Sequence, residues 1–264
     1  MNDIPIYDSL THPTLDKNWI MPGYPGVAGI DRLIAGMDEN NISHALAVGM
    51  KDIGRYEDSE FIKLIESCHG RLIPIAFFDL NDQMTVNEMA HRLKRIKAFG
   101  FKGIKLHPRL SGFTFKHPLL IPVIKQANEF QLCVLLCTYF YDQPNNARFN
   151  FMEKLPNTVY KLEGAKLILL HGGSVRLLET IEIVRSYGNV LLDLSFTLCK
   201  FQGSSLDMDI QFAFNSFDKR ICIGSDFPEF SPNDLRERFN AFAKNIARNK
   251  AENIAFRNIK NFLS

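Results

Sequence analysis

The residues best suited to chemistry in this chain stand where short apolar runs end. IPIYDSL leads to His12, FKGIKL to His107, AKLILL to His171 and RICIG to Asp226. Imidazoles and carboxylates exchange protons near neutral pH, and the same groups ligate metal ions. One histidine at a strand end is usually a packed structural residue. Three of them with an aspartate, at four strand ends, would be an odd accident if they served packing alone. Asp8, Leu10 and His12 alternate, so on a strand their side chains share one face. Two acid–base residues flanking a leucine have the look of a metal site that lacks its middle ligand. His44, His69, His91 and His117 lack strand-end placement and are assigned no function.

Lys105 and His107 are also two apart, with Gly103 beyond Lys105, and so share a strand face one layer apart. A lysine inside a barrel is costly unless paired, and Asp8 or Asp226 could neutralise it. That arrangement is either an internal ion pair fixing strand ends or a group for binding and catalysis. Arg109, at the start of the next loop, adds a planar donor fork. With Lys105 and His107 it would form a cationic rim for a carboxylate or phosphate; otherwise it is an ordinary loop arginine. Tyr139, Phe140 and Tyr141 offer an aromatic wall above the same place, or simply pack their loop down.

These positions matter only if the strands bring them together. Eight apolar runs recur: IPIYDSL, ISHALAVGM, RLIPIAFFDL, FKGIKLH, LCVLLCT, AKLILLH, NVLLDLSF and RICIGSD. Amphipathic segments such as TVNEMAHRLKRIKAFG and VRLLETIEIVRSYG lie between them, and Leu235, Phe239, Phe242 and Ile246 mark a further helix. Gly70, Gly100, Gly164 and Gly188 each close a helical segment where a left-handed cap is wanted. Apolar strands alternating with helices imply a parallel sheet buried on both faces. Eight such units over 264 residues fit a single-domain (β/α)8 TIM barrel. A doubly wound open sheet is the competitor, but it would want a glycine-rich loop after the first strand, where THPTLDKNW stands. In a barrel, strand C-termini converge at one mouth, and 139–152 and 197–207 become candidate lid or substrate loops.

Composition narrows the classes. Lys plus Arg exceeds Asp plus Glu by two (31 against 29), which gives no global reason to expect nucleic acid or a membrane surface. The basic run at 91–97 has helical apolar spacing and reads as a solvated helix face. Five cysteines, with no C-x-x-C pair, point to reduced thiols and a cytoplasmic protein. The N-terminus lacks signal-peptide character, and the longest apolar runs are too short to span a bilayer. No nucleophile elbow, Walker loop or EF-hand spacing appears, although HGGS at 171–174 has the composition of an oxyanion loop.

Four stretches taken in order resemble the amidohydrolase superfamily, in the amidohydrolase-related branch with aminocarboxymuconate-semialdehyde decarboxylase-like and lactonase-like enzymes. DSLTH is similar to its first-strand D-x-H-x-H, KGIKLHP to a fourth-strand motif, LILLHGG to the sixth-strand H-G-G and IGSDFP to the eighth-strand G-[ST]-D-[FY]-P. The closing FRNIKNF resembles its terminal helix, with Asn258 at the asparagine. The resemblance implies a divalent metal, zinc above all, held by the first-strand histidine pair, a fifth-strand histidine and the eighth-strand aspartate. Here the first of the pair is Leu10 and the fifth-strand position is Cys137, leaving His12, Cys137 and Asp226 as N, S and O donors. Cys137 is equally a small buried hydrophobe. The implied activity is a hydrolase acting on a C–N or C–O bond of a small anionic molecule. Asp226 would be the base on water, His171 its proton partner, and Lys105 and His107 would orient substrate or stabilise charge. A decarboxylase-like lyase is a variant of that site, and a metal-free barrel binding a ligand or partner is the rival. Exposed barrel helices make a homodimer the assembly to test.

Overall fold

The structure is a computed structural model and describes residues 1–20, 26–139 and 152–264. Eight strands follow one another around a parallel sheet in chain order. They are β1 (Ile6–Thr11), β2 (Ile42–Val48), β3 (Leu72–Phe77), β4 (Gly103–Leu106), β5 (Cys133–Cys137), β6 (Leu167–Leu170), β7 (Val190–Asp193) and β8 (Ile221–Cys222). The ring closes between its last and first members: Ser9 N donates to Ile223 O at 3.0 Å, and Asp226 N to Leu10 O at 2.9 Å. This is the (β/α)8 barrel the strand count implied.

Alternation along each strand sorts its side chains between two cores. Leu46, Val48, Ile75, Leu135, Ile168, Leu170, Leu191 and Cys222 turn inward and meet Tyr7, Leu10 and Ile259 inside the barrel. Their neighbours Ala45, Ala47, Ala76, Ile104, Val134, Leu136, Leu167, Leu169 and Leu192 face outward and pack against the helices. Gly103 allows the interior to close tightly, because a Cβ there would meet Cys133 Sγ at 2.2 Å. In β4 the same parity aims Lys105 inward, as its spacing from His107 required.

The connecting helices are α1 (Ile30–Glu39), α2 (Asp58–Glu66), α3 (Val86–Ala98), α4 (Pro108–Ser111), α5 (Leu120–Glu129), α6 (Leu155–Lys161), α7 (Leu177–Val184), α8 (Thr197–Lys200), α9 (Leu206–Ser216) and α10 (Pro232–Ala243). α3 illustrates how the sequence writes one. Thr85 and Glu88 form a capping box, Met89, Leu93 and Ile96 make the buried stripe, and Gly100 follows with φ 95°. Within its basic run, Arg92 leaves the solvated face to pair with buried Asp58. α10 buries Leu235, Phe239 and Phe242 as expected, but Ile246 lies past its end. Gly70 and Gly164 also take positive φ, whereas Gly188 does not. Among the described residues, no helix is long and apolar enough to cross a membrane.

Candidate active site

The mouth of the barrel holds a cavity of about 230 Å³ lined by His12, Lys105, His107, Arg109, Tyr139, His171 and Asp226. Residues from five strand ends, scattered over more than two hundred positions of chain, thus share one space. The volume lies below the roughly 300–1,000 Å³ of pockets for drug-sized ligands, so its occupant is small. Of the candidate lining residues, only Cys137 stands behind the wall, 3% exposed. Phe140 and Tyr141 lie outside the described residues.

His12 follows β1 directly, and its Nδ1 donates to Val48 O at 2.8 Å. That bond leaves Nε2 as the acceptor, and Lys105 Nζ stands 3.0 Å from it. Asp226 Oδ1 is 3.3 Å from the same Nε2. Burial, and then the positive charge of Lys105, push His12 down to about 4, so it is neutral at pH 7. Burial also lowers Lys105, against the pull of the Asp226 carboxylate. For Asp226, burial is outweighed by its contact with His12 and by the charges of His171 and Lys105, which hold the carboxyl well below its usual range. Asp226 therefore stays an anion in this site.

His107 caps α4 by accepting Leu110 N at its Nδ1, at 3.2 Å. His171 Nδ1 bonds to Ser195 O at 3.0 Å. Each Nδ1 is thereby committed, and Cys137 is hydrogen-bonded to both histidines. Burial would raise the Cys137 thiol, but His107 and His171 overcome it and hold it well below the ordinary thiol value. In return, His171 is raised: burial opposes, and Cys137 and Asp226 prevail. His107 is lowered by burial despite Cys137. Beneath His171, buried Asp193 accepts its backbone N at 3.2 Å and Ser195 N at 3.1 Å. Ser9 and Ser195 hydroxyls complete the Asp193 shell.

His171 (φ 66°), Phe196 (φ 63°) and Asp226 (φ 58°) all adopt left-handed backbone. Each costs on the order of 1–2 kcal/mol for a residue with a Cβ, and the surrounding bonds over-determine it.

Of the expected metal ligands, His12 and Asp226 meet at 3.3 Å and Cys137 does not join them. Among the described residues, no three of His, Cys, Asp and Glu stand together as a metal-binding group. Leu10 is buried in the apolar barrel interior, and Cys137 is engaged by His107 and His171 instead of His12 and Asp226. The lone pair His12 would give a metal is directed at Lys105 Nζ. A dication about 4 Å from an ammonium would be repelled by roughly 8 kcal/mol at an effective dielectric of about 20. The residues present do not fit a divalent cation. Asp8 is also elsewhere: Ser225 N and Oγ hold it at 2.9 and 2.6 Å, so it is no partner for Lys105.

Several cavity residues had no sequence signal of their own. Trp19 stacks on His12 at 5.4 Å between ring centroids, and its Nε1 donates to Glu229 Oε1 at 2.7 Å, tying the β1 and β8 loops together. Met50 and Phe196 complete the apolar wall. Being the only tryptophan, in the loop after β1, was the one clue to Trp19. From the two candidate lid stretches, Tyr139 reaches the cavity, while 197–207 leaves that role to Phe196 just before it. Arg109 lies 5.0 Å over the Tyr139 ring, and its Nε is buried with no hydrogen-bond partner among the described residues.

Residues 34–252 match the family model described as Amidohydrolase. No curated protein matches the sequence. Among solved structures, the chain is similar to an uncharacterised TIM-barrel protein from Bordetella bronchiseptica, at 16% identity and TM-score 0.83 with 98% of each chain covered. It is similar to a putative 2-pyrone-4,6-dicarboxylic acid hydrolase from Pseudomonas putida at 16% identity and TM-score 0.68, covering 98% of this chain and 97% of that one. A 5-carboxyvanillate decarboxylase from Sphingomonas paucimobilis gives 11% identity and TM-score 0.69, with 99% of each covered.

Proposed function

The chain belongs to the amidohydrolase family, and from that premise we propose that it hydrolyses an ester or lactone C–O bond in a small carboxylate-bearing molecule. The observation that carries this reading is the gathering of Asp226 and His171 with three cationic or imidazole groups, Lys105, His107 and Arg109, around one small cavity. Arg109, which lines the cavity against the Tyr139 ring, holds the substrate carboxylate. Asp226 accepts a proton from the attacking water as the new C–O bond forms at the acyl carbon. His171 delivers a proton to the departing oxygen as the old bond breaks, and solvent returns both groups to their starting states.

A carboxylate held this low is a weak base, so the acyl centre must itself be reactive. That favours esters and lactones over amides, whose nitrogen leaves only after protonation. The dicarboxylic acid hydrolase and the carboxyvanillate decarboxylase among the structural neighbours both carry carboxylates in their substrates' names, which agrees with the cationic rim.

Turnover of small carboxylated lactones and esters in isotopically labelled water tests the reading. One labelled oxygen should enter the acid product, and Asp226→Asn should fold normally yet lose about 100-fold or more in kcat. Release of carbon dioxide without label incorporation would replace the hydrolase with a lyase. Undiminished turnover by Asp226→Asn would remove this mechanism.

A further inference from the structure

The position a divalent cation would need in this barrel is already taken by a cation the chain makes itself. Lys105 Nζ stands 3.0 Å from His12 Nε2, the nitrogen with the free lone pair, and Asp226 Oδ1 reaches the same nitrogen at 3.3 Å. Val48 O fixes that tautomer by accepting Nδ1–H. Lys105 is 2% exposed and arrives on the inward face of β4, behind His107. The two other places from which ligands would be expected have changed in the compatible direction. Leu10 offers no donor, and Cys137 is held by His107 and His171.

The geometry points to Lys105 as an internal replacement for the metal: its ammonium occupies the cation seat at His12 Nε2, the nitrogen that Asp226 also approaches, excludes a divalent ion, and supplies the positive charge that meets the developing oxyanion of the substrate. The occupation of the seat stands independently of the reaction; the oxyanion role rests on the hydrolase reading above. An ammonium is a weaker Lewis-type centre than a dication, since it offers hydrogen bonds and one unit of charge and does not make bound water acidic. Water activation then falls to Asp226, and the substrate class narrows to acyl compounds with oxygen leaving groups.

Cobalt(II) is the probe, because its visible absorption reports imidazole and carboxylate ligation without any turnover. The full chain, stripped with a chelator and titrated with cobalt(II), should show no stoichiometric ligand-field bands. One equivalent bound by the wild type, and lost in His12→Ala, would overturn the proposal whatever happens to Lys105 variants. Lys105→Met, which keeps the stem and removes the charge, should bind cobalt(II) at least tenfold more tightly than the wild type, and Lys105→Met with His12→Ala should lose that gain. If Lys105→Met folds and its cobalt affinity equals that of the wild type, the ammonium is not what holds the seat. Because these readings are optical, a barrel that proves to be a lyase leaves them intact, and a failure here leaves the label-incorporation result intact.

Discussion

Cys137 and His171 set each other's charge at the back of the site. The thiol is held down by His107 and His171, and His171 is held up by Cys137 and Asp226 against its own burial. Cys137→Ala removes a negative neighbour and leaves the burial, so the His171 pKa should fall. If His171 must carry a proton to reach the leaving oxygen, the alkaline limb of the pH–rate profile moves to lower pH in this variant. A profile identical to the wild type would free His171 from that role. The groups at this scale were legible to an unusual degree. Lys105, His107 and His171 declared themselves because strand parity and strand-end position are both written in the order of residues. The part that was illegible was pairing: nothing in VLLCT says that Cys137 meets two histidines and not the site of His12, since that depends on where neighbouring strands rotate their ends.

At the scale of elements, the seam between β1 and β8 deserves the most mechanical weight. β1 slips register against β2 between Ile6 and Tyr7 and again between Asp8 and Thr11. The simple alternation from Asp8 to His12 is therefore interrupted, and Asp8 is caught in the seam while Leu10 and His12 face inward. Gly224 permits the approach, for a Cβ there would stand 2.8 Å from Leu10 N. Burial pushes Asp8 up to about 7, with the Ser225 hydrogen bonds pulling the other way. A raised folded value means that the stability Asp8 contributes is fully present below its unfolded pKa and is lost as pH rises through about 7. Ser225 steadies the ionised form, so Ser225→Ala should cost roughly 1–3 kcal/mol, with the larger loss above neutral pH. Denaturant midpoints at pH 5 and pH 8 measure it; an equal loss at both would detach Asp8 from the seam. Sequence patterning placed the strand and missed the slip, because a bulge changes which face a residue takes without changing the residues.

Taken as a whole molecule, the barrel is divided along its axis. Its lower interior is apolar, filled by Leu46, Ile75, Leu135, Ile168 and Leu191 and stoppered by Ile259 from the C-terminal helical run at 248–263. Asn258 pins that run by donating to Asp218 O at 2.6 Å and Ile221 O at 2.8 Å. Above this dry floor stand Lys105, His12, Asp226 and the histidine pair, where a low dielectric strengthens every charge interaction. The architecture was readable from eight alternations of strand and helix, and with it the mouth. The loops that finish the mouth were not, because Trp19 and Phe196 reach it from irregular backbone with no periodicity to project.

Whether these charges act together on one anion decides what the mouth can bind. Calorimetric titration of the protein with an unreactive small dicarboxylate such as glutarate addresses it directly. Saturable binding of one equivalent, weakened at least tenfold by Arg109→Ala and by Lys105→Met but untouched by Lys161→Ala on the exposed surface, is the predicted result. Binding that ignores Arg109 and Lys105, or follows Lys161 instead, would contradict it.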